Sequence, residues 1–178
     1  LTLTRPIDSG VLAVPEPFDL AVTLGSGQVF RWRSVKCAWY GGIVYGYPVM
    51  LSQGPGVLRY VCHKGQGRAV ELALHNFFRL DDDLLAIYRE ISDDPKVVEA
   101  VNRYRGLRLI RQDPWECLAS FVCSSVSNIP RINKSLEAVA TRYGVQTNLA
   151  GLSLYAFPTP YELISASEGD LRSLGLGF

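Results

Sequence analysis

Near residue 81 the chain changes the spacing of its apolar residues, and this change limits the fold more than any other feature. Before it, the runs "VFRWRSV", "WYGGIVYGYPVML" and "VLRYVCH" are rich in Val, Tyr, Phe and Trp, with Gly and Pro between them. That composition predicts strands, and an antiparallel meander is the simplest way to join them. The "HKGQGR" turn is a hairpin candidate, and "FDLAVTLG" reads equally as a short helix or a strand. After the change, "LDDDLLAIYREIS" places acids in a first helical turn and apolar residues at Leu84, Leu85, Ile87, Tyr88 and Ile91. The expectation is an α+β chain whose first eighty residues are mainly β.

The helical half starts its elements with care. Asp113 can accept from first-turn amides, Pro114 lacks the donor a first turn would waste, and Glu116 completes a capping-box spacing. Leu118, Phe121 and Val122 then fall at helical spacing and are expected to be buried. Ser124 to Asn128 favour caps and turns over helix interiors. A second helix is predicted from Pro130, with Ile132, Leu136, Val139 and Ala140 inward and Gly144 as its stop. A loop then leads to "PTPYELISAS", which repeats the capping-box spacing at Thr159 and Glu162. The result is a small polar elbow held between two rigid helices.

Composition excludes several classes. No apolar run approaches the roughly twenty residues of a membrane span, and no basic-then-apolar leader opens the chain, so an intracellular protein is expected. Cys37, Cys62, Cys117 and Cys123 form no CxxC pair, and His63 and His75 offer no zinc spacing, so neither metal nor cofactor is expected and the thiols are placed in the core. The net charge of +1 hides a segregation. Asp81 to Glu99 carries seven acids against two bases, and Arg103 to Arg142 seven bases against three acids. Such an arrangement suggests an acidic and a basic face; ordinary solvated helix surfaces would look the same. Arg103, Arg105 and Arg108 are expected to be surface charges.

Five runs occur together and in order: "FDLAVTLGSGQVFRWR", "FFRLDDDL", "GLRLIRQDPWECLASFVCSS", "NIPRI" and "LRSLGLGF". In these the chain resembles the 8-oxoguanine DNA glycosylase/AP lyase family of the helix-hairpin-helix superfamily, over its N-terminal portion only. The resemblance implies an antiparallel, TBP-like β-sheet domain with two helices over residues 1–110. This is joined, over residues 111–178, to the first helices of an all-helical glycosylase domain. It implies base-excision repair of 8-oxoguanine and double-stranded DNA as partner. The compartment would be the nucleus in a eukaryote or the cytoplasm in a prokaryote. In the family a hairpin supplies the catalytic lysine and an aspartate follows it; none of this chain's lysines matches that motif, so no catalytic residue is assigned. The abrupt end at Phe178 suggests that the catalytic half follows in the same polypeptide or comes as a separate chain. A damaged-DNA-binding module without activity, or a glycosylase for an alkylated base, are the competing readings.

The resemblance also assigns site residues. Gly27 in "SGQVFRW" would bring a backbone carbonyl against the flipped base, although a glycine that only turns the chain into a strand is the plain alternative. Val126, Ser127 and Asn128 would enter the duplex opposite the lesion, and Arg131 would read the partner cytosine with its donor fork. Val126 stands where the family has a gap-filling asparagine, which implies relaxed opposite-base selectivity. Phe178 would wedge beside the lesion, and Lys134 is a candidate phosphate contact. Phe30 and Trp32 are assigned to the core.

Overall fold

The structure is a computed structural model that describes residues 6–125 and 127–176. Its first half is one antiparallel sheet. The strands are β1 (Ile7–Ala13), β2 (Arg33–Val35), β3 (Trp39–Val44), β4 (Tyr47–Gly54) and β5 (Val57–His63), in the spatial order β1-β5-β4-β3-β2. The expected meander is therefore β2 to β5, and β1 closes the far edge by pairing Ile7 with His63. The ambiguous "FDLAVTLG" run forms helix α1 (Leu20–Gly25), because Asp19 accepts from Val22 N at 2.9 Å and caps it.

Three expectations about this half fail. The "HKGQGR" turn is no hairpin: it leads from β5 into helix α2 (Gly67–Phe77). Val70, Ala73, Leu74 and Phe77 form the buried side of α2, a period that the glycine turn signal just before it had masked. Likewise only three residues of "VFRWRSV" are strand. With α3 (Leu84–Ile91) and α4 (Pro95–Arg103), the described residues before 110 hold four α-helices rather than two. Val49, Leu51 and Leu58 from the sheet and Val70, Leu74 and Phe78 from the α2 region are all 0 % exposed. Burying each such side chain stabilises the fold by about 1.5–3 kcal/mol, and this is the main core.

The second half contains α5 (Pro114–Ser124), α6 (Ile129–Tyr143), a hairpin of β6 (Gln146–Leu149) and β7 (Leu152–Tyr155), then α7 (Pro160–Leu163) and α8 (Glu168–Ser173). It is not all-helical, since the expected loop after residue 144 is this hairpin, whose Leu149 and Leu154 are buried. Gly144 ends α6 as expected, and close approach is what requires it. A Cβ there would collide with the carbonyl oxygen of Ala156, which passes beside it. Ile132, Leu136, Val139 and Ala140 of α6 are buried, as the spacing predicts.

The expected burial on α5 does not occur. Leu118, Phe121 and Val122 are 55, 74 and 63 % exposed. The stripe turned inward is instead Glu116, Ala119, Ser120 and Cys123, buried or half-buried at the same helical spacing. Periodicity showed that α5 has an apolar face, but could not say that no described residue covers it. Cys117 belongs to the outward side and is exposed, as is Cys37; Cys123 is intermediate and only Cys62 is fully buried. The four thiols are free, but they are not all in the core.

Candidate functional site

The corner after α1 is built by short hydrogen bonds. Ser26 Oγ donates to Thr23 O at 2.8 Å, and Gly27 follows with φ of +82°, a left-handed value that favours glycine. The Gln28 side chain then spans to the segment before α5. Its Nε2 donates to Ser26 Oγ (2.9 Å) and to Arg108 O (3.0 Å), while its Oε1 accepts from Ile110 N (2.9 Å). Phe30 and Trp32 follow, both half-buried, and Trp32 packs against the main core with its ring 6.0 Å from that of Phe77.

The elbow between α5 and α6 is built by caps. Asp113 accepts from Trp115 N and Glu116 N, both at 3.0 Å, and so fixes the start of α5. At its end Ser124 Oγ turns back onto Phe121 O at 2.6 Å, and Ser127 N donates to Ser124 O at 3.2 Å. Asn128 then opens α6 by accepting from Arg131 N at 3.0 Å. Its side-chain oxygen is therefore occupied by the cap, and what it can offer a ligand is its amide N–H groups. Arg131 and Lys134 stand exposed three residues apart on the same side of α6, and neither has an ion-pair partner among the described residues.

Corner and elbow meet. A Cβ built on Gly27 would lie 3.4 Å from Cδ1 of Ile129, the residue that follows Asn128. Two segments separated by about a hundred residues of sequence thus share one neighbourhood, in which a left-handed glycine faces the start of a helix bearing two cations without an ion-pair partner among the described residues. Val126 and Phe178 lie outside the described residues.

Beside this neighbourhood a cleft of about 400 Å³ separates the sheet side from the helices, and charge closes part of it. Arg31, with a side chain 8 % exposed, binds Glu116 Oε1 through Nε at 2.6 Å and donates to Tyr155 O at 2.7 Å. Its guanidinium also lies 5.5 Å from the centre of the Phe157 ring, and Arg33 pairs with Glu137. Sequence reading missed this joint, because no spacing rule connects residue 31 with residues 116 and 155. Arg108 was missed in the opposite sense. Expected on the surface, it is 2 % exposed and donates from a guanidinium nitrogen to Arg79 O at 2.6 Å. Burial pulls its pKa below the usual arginine value, against an opposing pull from Asp82. Arg111, another base of the expected basic face, pairs instead with Asp81 at 3.8 Å. Part of the segregated charge is therefore neutralised internally.

A mixed antiparallel-sheet and helical chain, with a glycine corner set against a polar elbow, defines the class: the front portion of a DNA glycosylase fold. The family model of the 8-oxoguanine DNA glycosylase N-terminal domain matches residues 11–118, and the chain belongs to that family. It is 34 % identical to the N-glycosylase/DNA lyase OGG1 of Arabidopsis thaliana, over 89 % of this chain and 45 % of that protein. To the N-glycosylase/DNA lyase of Saccharomyces cerevisiae it is 33 % identical, over 89 % of this chain and 46 % of the relative. Among solved structures it resembles the Clostridium acetobutylicum 8-oxoguanine glycosylase/lyase bound to double-stranded DNA with cytosine opposite 8-oxoG. There the TM-score is 0.86 at 28 % identity, covering 98 % of this chain and 61 % of that one. The chain thus spans about half the length of the curated relatives it matches.

Proposed function

We propose that this chain is the lesion-reading and partner-strand part of a base-excision glycosylase/lyase acting on 8-oxoguanine in duplex DNA. The observation that carries the reading is the convergence of Gly27 with the start of α6. Such an enzyme takes its base out of the stack at a cost of a few kcal/mol, so one site must read the extruded base and another must hold the gap. Guanine presents an acceptor at N7, whereas the 8-oxo form carries a proton there. A fixed main-chain carbonyl at Gly27 would attract the second and repel the first, and a residue without a side chain lets backbone approach so closely.

At the elbow, the Asn128 amide and the Arg131 fork suit the orphaned partner base, with Ser127 beside them and Lys134 on a phosphate. Val126 in place of the family's asparagine supports relaxed selectivity for the opposite base, and Phe178 would act as the wedge. Lys36, Lys64, Lys96 and Lys134 are all exposed and none matches the nucleophile motif. The lysine that displaces the base, forms a Schiff base with the sugar and lets the strand be nicked is therefore assigned to sequence outside this chain. That sequence lies in the same polypeptide or in a separate one, and the reaction takes place wherever the cell keeps its DNA. We place the boundary between the sheet-bearing part and the glycosylase helices near residue 110.

The reading is tested by Gly27→Ala in the full-length protein. Preference for an 8-oxoguanine duplex over a guanine duplex should fall about tenfold, the worth of a lost discriminating hydrogen bond. Affinity for undamaged duplex should stay within about twofold, since phosphate contacts are untouched. Equal loss of both would reject the assignment. Borohydride trapping on lesion DNA checks the chemistry separately, because only a Schiff-base enzyme leaves a covalent adduct.

A further inference from the structure

The Gly27 corner poses a problem that its own residue cannot solve. Glycine is the most conformationally free residue, and at φ of +82° it has no side chain through which packing can hold it. A carbonyl that tells N7–H from a bare N7 must nevertheless keep its direction, because recognition groups lose their value when displaced by about 0.5 Å. The restraint has to come from the neighbours.

Gln28 supplies it. Both of its amide N–H groups and its oxygen are in use, to Ser26 Oγ at 2.9 Å, Arg108 O at 3.0 Å and Ile110 N at 2.9 Å. The amide orientation is unambiguous. Turned over, it would set oxygen against the Arg108 carbonyl and N–H against the Ile110 N–H. The segment it grips is itself immobilised from behind. Asp19 N donates to Gly106 O at 2.9 Å, and Arg108 N to Thr23 Oγ1 at 3.2 Å. The Arg108 guanidinium donates to Arg79 O at 2.6 Å, and Arg111 N to Phe77 O at 2.9 Å. The corner is thus fastened through one side chain to the turn that ends α2, and so to the main core.

We propose that Gln28, backed by buried Arg108, is the positioning residue that fixes the Gly27 carbonyl for lesion discrimination. This rests on the Gly27 reading above and adds to it the device that holds the reader in place. It touches neither base nor sugar; it acts through its neighbour.

The test uses the full-length protein and two duplexes of identical sequence, one with 8-oxoguanine and one with guanine, both carrying 2′-fluoro sugars that resist cleavage. Binding is read by fluorescence anisotropy as the ratio of the two dissociation constants. Gln28→Leu keeps the volume and removes all three hydrogen bonds; the ratio should fall about tenfold with affinity for undamaged duplex unchanged. Gln28→Glu adds a readout that a merely structural residue would not move. As a carboxylate it sets charge against the Arg108 carbonyl, and discrimination is lost near pH 8. Protonated, it again donates to Arg108 O and accepts from Ile110 N, so the ratio, normalised to the unmodified protein at each pH, should recover as pH falls to the ordinary glutamate range at about pH 4.3.

An unchanged ratio in Gln28→Leu, or no recovery in Gln28→Glu as pH falls, overturns the proposal. If Gln28→Leu does not fold, the Gln28→Glu titration decides alone. Gly27→Ala separates the two levels. If it leaves the ratio intact, the site reading fails and this inference with it. If it collapses the ratio while Gln28→Leu does not, only the positioning role is wrong.

Discussion

Helices α5 and α6 follow one another, open with a side-chain cap and an early proline, and carry apolar residues at helical spacing. Their fates are opposite. Leu136 of α6 is 0 % exposed, whereas Phe121 of α5 is 74 % exposed. Amphipathic spacing records which face of a helix is meant to leave water, while the surface that receives it is a property of tertiary context. For α6 that surface is supplied by α5 and the β6-β7 hairpin; for α5 no described residue supplies it.

The contrast is open to direct attack. Leu136→Ala should cost about 3 kcal/mol of stability by leaving a cavity, and Phe121→Ser less than about 0.5 kcal/mol in this chain. Urea denaturation of both variants checks this, and comparable losses would mean that the outer face of α5 is covered after all. The caps should behave alike where the stripes do not. Asp113→Ala and Asn128→Ala should each cost about 1 kcal/mol, since each removes an acceptor from first-turn amides.

A smaller effect concerns the thiols. Burial pushes the Cys62 thiol up, with Asp8 and Glu71 adding to the shift, and burial likewise pushes up Cys123 on the inner side of α5. The folded chain therefore holds protons that the unfolded chain releases. That contribution is complete below the ordinary thiol range near pH 8.5 and is lost as pH rises through it. Melting temperature should be level from pH 7 to 8 and decline above about 8.5, and Cys62→Ala should flatten the decline.

Much of this was legible in the sequence for identifiable reasons. Caps are local, so Asp113, Thr159 and the Gly144 stop were readable from neighbours in the chain, and Asn128 fell in a run read as caps and turns. The meander was legible because its strands are consecutive. What escaped depends on distant partners. Helix α2 looked like a hairpin because the glycines of "HKGQGR" speak more loudly over short range than the period of Val70, Leu74 and Phe77. Arg108 looked like surface because a charged residue is rarely buried without a partner, and its partners, the carbonyls of Arg79 and Asp82, have no sequence signature. For the site, "SGQ" and the serine-rich turn were each visible; that they converge was implied by the family resemblance alone, since no spacing rule links Gly27 to the 3.4 Å approach of Ile129.

The Arg31 joint limits how this molecule can be divided. A cut near residue 110 would take Glu116, the Tyr155 carbonyl and the Phe157 ring away from Arg31 and return to water a guanidinium that is 8 % exposed in the whole chain. Within the intact chain, removing Glu116 alone would leave that cation enclosed and unpaired, which costs about 3–5 kcal/mol, a large share of what holds any small domain together. Sheet and helices are therefore expected to melt in one step, and a severed front half to present to water the surface that the joint covers.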